Sequence, residues 1–197
     1  MPKQTYFNLS DEKKEKIRKA TYEIFINTDY EEVHIREIAK RSDISVGSFY
    51  QYFYDKEDLY LHFFTEVEMK YMKKQKECDQ DILFSDRIIP IEEICTEEEV
   101  EFNQTWYNVP MLVMQKFYYG EYSKKLHSFL GEELMEYKNS NKLKEDLNLD
   151  FVFYLFTTSM FTIHNYFREH KITDVKERQD IKDHYFRDIF LNGILKK

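Results

Sequence analysis

The sequence has few of the residues that turn and terminate a chain. It contains 4 glycines, 3 prolines and 2 cysteines in 197 residues. Sandwiches, barrels and nucleotide-binding βαβ folds use glycine and proline in their turns, so this shortage favours an all-helical chain. Cys78 and Cys95 cannot by themselves form a disulfide framework or a four-ligand zinc site.

Composition excludes two further classes of protein. A mean hydropathy of −0.69 with 34% charged residues excludes an integral membrane protein, and 42% hydrophobic residues exclude a disordered one. Residues 151–167 lack charged side chains, but their hydroxyl, amide and imidazole groups make them too polar for lipid, so we expect a buried or subunit-interface helix. Residues 1–18 hold no apolar run, so no secretory signal is expected and the predicted location is the cytoplasm.

The net charge of −8 is unevenly distributed. Residues 1–53 hold nine Lys or Arg and nine Asp or Glu, so the whole excess of acid falls in residues 54–197. Binding to nucleic acid depends on the local field. A neutral N-terminal segment therefore permits DNA binding without predicting it.

Helical spacing of apolar residues organises the first 80 residues. Ser10 is suited to cap a first helix, and Ser45 to cap a short helix over residues 45–53. Another short helix is predicted over residues 35–42, with a break at 43–44. A longer helix is predicted from Lys56 to about Cys78.

Two short helices joined by a tight break predict a helix-turn-helix. The contact between its helices is predicted to use apolar residues: Ile38, Ala39, Ile44, Phe49 and Phe53. That packing leaves the opposite side of the second helix facing outward, with Val46, Gly47, Ser48, Tyr50 and Gln51. A helix presented in this way fits the major groove of DNA.

The remaining residues continue the helical pattern. Thr96 and Glu99 fit a capping box, Pro110 suits the first turn of a helix, and Gly120 marks a bend. A joint is expected over residues 79–94 and a loop at 139–141. The last two helices are predicted over residues 149–170 and 174–195. The fold class is therefore all-α.

The segment from Phe25 to Leu59 resembles the tetracycline-repressor (TetR) family of bacterial transcriptional regulators. The matching runs are Ile35-Arg36-Glu37-Ile38-Ala39, Ile44-Ser45, Gly47-Ser48-Phe49-Tyr50-Gln51-Tyr52-Phe53 and Asp55-Lys56-Glu57-Asp58-Leu59. The resemblance implies about nine helices in two domains. Residues 1–55 would form a three-helix DNA-binding domain with the helix-turn-helix, and residues 56–197 a domain for effector binding and dimerisation.

The resemblance also implies which residues meet the DNA of a palindromic operator. These are His34, Arg36, Ser45, Val46, Gly47, Ser48, Tyr50, Gln51 and Lys56. The hydroxyls suit phosphate or base edges, and Gln51 suits adenine. His34, Val46 and Gln51 depart from the residue types frequent in the family, and residues 45–53 carry no charge. We therefore expect DNA binding to depend less steeply on salt than it does in a lysine-rich relative.

The C-terminal half is rich in aromatic residues, and the resemblance implies a small-molecule pocket there. Its candidate lining combines large rings, methionine and one histidine: Trp106, Tyr107, Met114, Phe117, Tyr118, Met160 and His164. The tyrosines and carboxylates suit an aromatic or cationic effector. The homodimer interface is assigned to the last two helices, at Phe151, Leu155, Ile181, Tyr185, Ile189 and Phe190.

Catalytic motifs are missing from the sequence. It has no glycine-rich phosphate loop, nucleophile elbow or HExxH pair, so we expect neither an enzyme nor a cofactor or metal site. Two readings stay open beside a ligand-released repressor. The regulator could activate transcription, or the helix-turn-helix could belong to a helical ligand- or protein-binding module that does not read DNA.

Overall fold

The structure is a computed structural model that describes residues 1–78 and 89–195. Its α-helices span Gln4–Phe7 (α1), Asp11–Asn27 (α2), Ile35–Arg41 (α3), Val46–Tyr52 (α4), Lys56–Glu77 (α5), Glu97–Gln104 (α6), Met111–Tyr119 (α7), Ser123–Asn139 (α8), Leu149–Glu169 (α9), Val175–His184 (α10) and Asn192–Ile194 (α11). Short 3-10 turns cover Tyr30–Glu32, Ile91–Glu93 and Thr105–Asn108. The described ranges contain no strand, only an isolated bridge between Leu143 and Leu195, which confirms the all-α class.

The helix starts confirm the predicted caps. The Ser45 hydroxyl accepts from the amide of Ser48 at 2.9 Å, and Ser10 caps α2 in the same way. Thr96 and Glu99 form the reciprocal capping box at the start of α6. Each cap satisfies an amide that the first helical turn leaves without a partner, so these boundaries follow from local chemistry.

Two boundaries differ from the prediction. Pro110 is the N-cap of α7 and lies one residue before the helix. The predicted helix over 174–195 is divided, because α10 ends at His184 and a π-helix covers Tyr185–Leu191 before α11. Apolar spacing alone does not distinguish the two hydrogen-bond patterns. Most of the joint predicted over 79–94 lies outside the described residues.

The one-turn helix α1 was not predicted, because four residues are too few to show a period. Its Tyr6 is 4% exposed and lies against Phe53, with ring centroids 4.8 Å apart. The same ring meets His62 of α5 edge to face at 5.0 Å. The chain before α2 therefore packs between the second helix of the helix-turn-helix and the long helix α5.

Two apolar cores organise the described chain. The first is continuous from the N-terminal helices to α7, and includes Ile38 and Phe49 on one side and Phe102 and Met114 on the other. The second joins α8, α9 and the C-terminal turns through residues such as Leu134. The first core thus crosses the expected domain boundary at 55/56. No helix within the described ranges is long and apolar enough to cross a membrane.

Candidate nucleic-acid interface and effector site

The turn between α3 and α4 is held by backbone geometry. The amide of Ile44 donates to the carbonyl of Ala39 at 3.0 Å. Asp43 adopts a φ of 55°, a left-handed conformation that aspartate tolerates better than most residues. Ala39 and Ile38 are almost fully buried at the contact. A small side chain at Ala39 allows the two helices to approach closely, as the sequence predicted.

Helix α4 has one buried face and one exposed face. Phe49 and Phe53 are fully buried, whereas Tyr50 is 47% and Val46 37% exposed. Of the other residues predicted for the outer face, Gly47 and Gln51 are exposed and Ser48 is half-buried. The N-cap Ser45, predicted as a DNA contact, is also exposed. The outer face is therefore a solvent-facing surface of small, hydroxyl, amide and aromatic groups without charge.

The C-terminal end of α4 is bound by the segment before α2. The amide of Lys3 donates to the carbonyl of Tyr52 at 2.8 Å, and the Lys3 ammonium to that of Tyr50 at 2.7 Å. The Thr5 hydroxyl donates to the carbonyl of Gln51. Helix ends leave such carbonyls without intrahelical partners. The N-terminal segment thus positions α4 through contacts that sequence reasoning missed.

The basic residues near this surface differ in whether their side chains are ion-paired within the protein. Arg36 and His34 are exposed at the start of α3, and the His34 side chain makes no capping hydrogen bond. The Arg41 guanidinium is paired with Glu23, and it also lies 3.5 Å from Glu37. Arg41 is therefore engaged within the domain.

Lys56 occupies an internal position at the start of α5. Its ammonium donates to the carbonyl of Tyr30 at 2.7 Å and lies 3.3 Å from those of Glu31 and Val33. It also lies 4.7 Å from the centroid of the Tyr30 ring. These contacts use all three donors of an ammonium group. Lys56 therefore ties the turn before α3 to α5.

Comparison with known proteins finds a family match in the N-terminal part of the chain. Residues 17–63 match the family described as bacterial regulatory proteins, tetR family. This segment is therefore similar to the tetR family of bacterial regulatory proteins. The matched region contains α3, α4 and the break between them, which are the elements whose geometry is described above.

Solved structures from the TetR family are similar to the chain over most of its length. A TetR family transcriptional regulator from Chloroflexus aurantiacus J-10-fl is 19% identical, with a TM-score of 0.45 and all of both chains covered. A structure assigned to the same family from Shewanella sp. PV-4 is 17% identical, with a TM-score of 0.49 and coverage of 94% of this chain and 99% of that one. No curated protein sequence matches.

Beyond the matched segment, the predicted effector residues lie together in one aromatic cluster. Trp106 lies 4.9 Å from Phe117, 6.1 Å from Tyr118 and 6.4 Å from His164, measured between ring centroids. Tyr107 lies 5.5 Å from His164. Trp106, Phe117, Met114 and His164 are buried, while Tyr107, Tyr118 and Met160 keep part of their surface accessible. The cluster joins α7, α9 and the turn between α6 and α7.

His164 is the polar centre of this cluster. Its Nδ1 lies 2.7 Å from the carbonyl of Met160 and 3.2 Å from the hydroxyl of Tyr118. Because a carbonyl only accepts, Nδ1 carries the proton. Burial lowers the pKa of His164 to about 4, so the ring is neutral near pH 7.

Glu68 borders the same cluster and was not predicted. It lies on α5 one turn after Phe64, whose ring stacks on Trp106 at 4.3 Å. The Asn103 amide donates to its carboxylate at 2.6 Å, and burial raises the pKa of Glu68. The sequence signal that could have found it is its position in the apolar stripe of α5.

A separate groove of about 710 Å³ lies between α5 and α8. Its walls include Met69, Lys73, Lys125 and Phe129. His62 is 6% exposed at its edge, and burial lowers the pKa of His62 to about 4. Its buried Nε2 makes no hydrogen bond to the described residues and lies 3.4 Å from the Glu66 carboxylate. None of the predicted effector residues lines this groove.

The residues assigned to the dimer interface lie on α9 and the C-terminal turns. Phe151 is 58% and Ile189 57% exposed, and Leu155 is also exposed. Ile181, Tyr185 and Phe190 are half-buried. The Tyr185 hydroxyl is hydrogen-bonded to Ser159 at 2.7 Å, which joins the C-terminal turns to α9. Large apolar side chains therefore remain uncovered on α9 and the C-terminal turns of a single chain.

Proposed function

We propose that this protein is a dimeric transcriptional regulator that binds a palindromic operator through α4 and releases it when a small molecule binds the aromatic cluster. The observation that carries the proposal is the two-sided packing of α4. Phe49 and Phe53 anchor one side in the core, and the uncharged outer side faces solvent. The major groove of B-DNA admits a helix presented in this way.

The outer face of α4 supplies the groups that read DNA in this proposal. Gln51 offers its amide to adenine, and the Tyr50 and Ser48 hydroxyls bond base edges or phosphates. Arg36 and His34 lie at the start of α3, where they reach the backbone. Lys56 contributes by holding the turn at Tyr30 in place, because its ammonium is already bonded to protein carbonyls.

Gly47 provides a direct test of close approach to DNA. A methyl group at Gly47 would meet only the Ser45 hydroxyl, at 3.6 Å, so the fold itself has room for alanine. Alanine also favours a helix over glycine by roughly 0.5–1 kcal/mol. Gly47→Ala should therefore fold at least as well as the parent chain and still bind DNA more weakly.

The effector would act through α5. Phe64 of α5 stacks on Trp106, and the same helix begins at the DNA-binding domain, where Asp58 accepts from the amide of Tyr54 at 3.1 Å. A ligand that binds one arrangement of these rings more tightly than another favours the position of α5 that goes with that arrangement. The spacing of the two recognition helices then changes with α5. Dimerisation through Phe151, Leu155 and Ile189 sets that spacing.

The test is selection of bound sequences from a random DNA pool by the purified protein at fixed salt. We expect an enriched palindrome that is lost with the Tyr50→Ala, Gln51→Ala double variant and weakened with Gly47→Ala. The matched control is Gln104→Ala, an exposed position on α6. Absence of enrichment from a folded dimer at low salt would contradict the proposal.

The second candidate is a binding module whose helix-turn-helix contacts a protein. The uncharged outer face of α4 and the ion pair between Arg41 and Glu23 favour this second function. The dependence of DNA affinity on salt separates the two functions, since phosphate contacts release counterions and a protein-docking helix does not. A measurable slope with the selected palindrome supports the regulator.

A further inference from the structure

Three successive carbonyls at the C-terminal end of α4 are covered by two residues that precede α2. The Lys3 ammonium donates to the carbonyl of Tyr50 at 2.7 Å, and the Thr5 hydroxyl donates to that of Gln51. The backbone amide of Lys3 donates to the carbonyl of Tyr52 at 2.8 Å. Carbonyls in the last turn of a helix form the negative end of its dipole. The N-terminal segment therefore places a cation on the part of α4 that by itself would repel an anion.

The Lys3 ammonium keeps donors for a further partner. It uses one of its three donors on the Tyr50 carbonyl, and it lies 4.5 Å from the centroid of the Tyr54 ring. Lys3 forms no ion pair with another described residue. The Tyr54 ring is 63% exposed, so the ammonium beside it lies at the protein surface.

Two other cations of the helix-turn-helix region are already occupied by the protein. Lys56 directs its ammonium to three carbonyls, and Arg41 is paired with Glu23. The segment over residues 45–53 carries no charge of its own. The cation that contacts the end of α4 is therefore Lys3, which precedes Tyr50 by 47 residues.

The length of α4 places its C-terminal end at a wall of the major groove. Helix α4 has seven residues, which rise about 10 Å along a helix axis. The major groove of B-DNA is about 12 Å wide, and the first residues of the second helix of a helix-turn-helix meet the base edges. The last residues then lie near the phosphates that border the groove. Cations at such positions supply most of the sequence-independent affinity for DNA.

We infer that Lys3 is a phosphate-binding residue that supplies, from the N-terminal segment, the charge that α4 lacks. Its ammonium bridges the Tyr50 carbonyl and a phosphate of the operator backbone. Thr5 holds the same end of α4 without adding charge, so it is a positioning residue. This inference rests on the proposed function and adds a DNA contact from outside the helix-turn-helix.

The test is the dependence of DNA affinity on salt concentration, measured by fluorescence anisotropy. The probes are the selected palindrome and an unrelated duplex of equal length. Lys3→Gln removes the charge and keeps an amide donor for the Tyr50 carbonyl. Each phosphate contact contributes about 0.9 to the slope of log affinity against log salt concentration, so a dimer that loses two contacts should have a slope shallower by about 1.8. The affinity for both duplexes should fall by the same factor, since phosphate contacts carry no sequence information.

Three further variants separate a phosphate contact from a structural role. Lys3→Arg keeps the charge and should keep the slope of the parent chain. Thr5→Val removes a hydrogen bond to α4 but no charge, so it should weaken binding without altering the slope. Lys138→Gln removes an equal charge from an exposed position on α8 and should change neither quantity. Urea unfolding of each variant verifies that it is folded.

The inference is overturned if the slope is unchanged in Lys3→Gln, if it is lost in Lys3→Arg, or if Lys138→Gln lowers it equally. A shallower slope in Thr5→Val would also overturn it, because the effect would then come from a displaced α4. In each of these cases the parent chain still binds the palindrome, so the proposed function stands. A parent chain that binds neither duplex at low salt would instead contradict the proposed function, and the phosphate contact with it.

Discussion

The hydroxyl of Tyr122 donates a hydrogen bond to the carboxylate of Asp58, and both side chains are 7% exposed. Asp58 lies in the first turn of α5, and Tyr122 immediately precedes α8. The same carboxylate accepts from the amide of Tyr54 at 3.1 Å and lies 2.7 Å from the amino group of Met1. One buried carboxylate thus joins the residues after α4 to the C-terminal helices.

Replacing Tyr122 by phenylalanine should destabilise the protein. The change leaves the ring and removes one donor to a buried charged group, a loss of about 1.5–3 kcal/mol in the free energy of unfolding. Tyr119→Phe is the matched control, because Tyr119 is 48% exposed and its hydroxyl lies 3.4 Å from Thr158. Urea denaturation of the three proteins measures the difference. Equal losses from the two variants would show that the Asp58 contact adds no stability.

The free energy of unfolding should fall as the pH is lowered from 6.5 towards 4. Burial lowers the pKa of His164 and of His62 to about 4. The unfolded chain takes up these protons near an ordinary pKa of about 6.5, whereas the folded chain does not, so stability is lost on acidification. Each histidine contributes up to about 3 kcal/mol over this window.

The charges that face these rings modify the same titrations. Lys125 lowers and Asp58 raises the pKa of His62, while Lys182 and Arg178 lower that of His164. Urea midpoints between pH 7 and pH 4 should show a shallower dependence on pH for His164→Gln than for the parent chain. His170→Gln, at an exposed position, is the control. An unchanged pH dependence in His164→Gln would mean that this imidazole is accessible to protons in the folded state.

Two glycine positions should respond to alanine in opposite ways. A methyl group at Gly120 would lie 2.3 Å from the carbonyl oxygen of Lys116, and that backbone cannot move without breaking the end of α7. A methyl group at Gly131, within α8, meets no atom of the described residues within 4 Å. Gly120→Ala should therefore lose about 1–3 kcal/mol, as overpacking costs, and Gly131→Ala should gain roughly 0.5–1 kcal/mol. Thermal or urea unfolding measures both, and stabilisation by Gly120→Ala would contradict the placement of this turn.

Local chemistry explains which parts of the fold were predictable. The hydroxyls of Ser45 and Thr96 each accept from the backbone amide three residues later, so both caps are predictable from the local sequence. The outward face of α4 follows from helical spacing once Phe49 and Phe53 are placed inside. The candidate effector residues were chosen for their residue types, which are large rings, methionine and one histidine, and only the structure brings Trp106, Tyr118 and His164 together.

The contacts that the sequence could not reveal join residues far apart in the chain. Lys3 and Tyr50 are 47 residues apart, Glu68 and Asn103 are 35 apart, and Lys56 and Tyr30 are 26 apart. The sequence by itself determined most of the longer helices, their caps and the helix-turn-helix, since propensity, capping and spacing act within a few residues. Only the tertiary structure decided that Lys56 binds carbonyls and that Glu68 accepts a hydrogen bond from Asn103. These partners are set when the helices pack, because a charged group that becomes buried needs hydrogen-bond partners from the element packed against it.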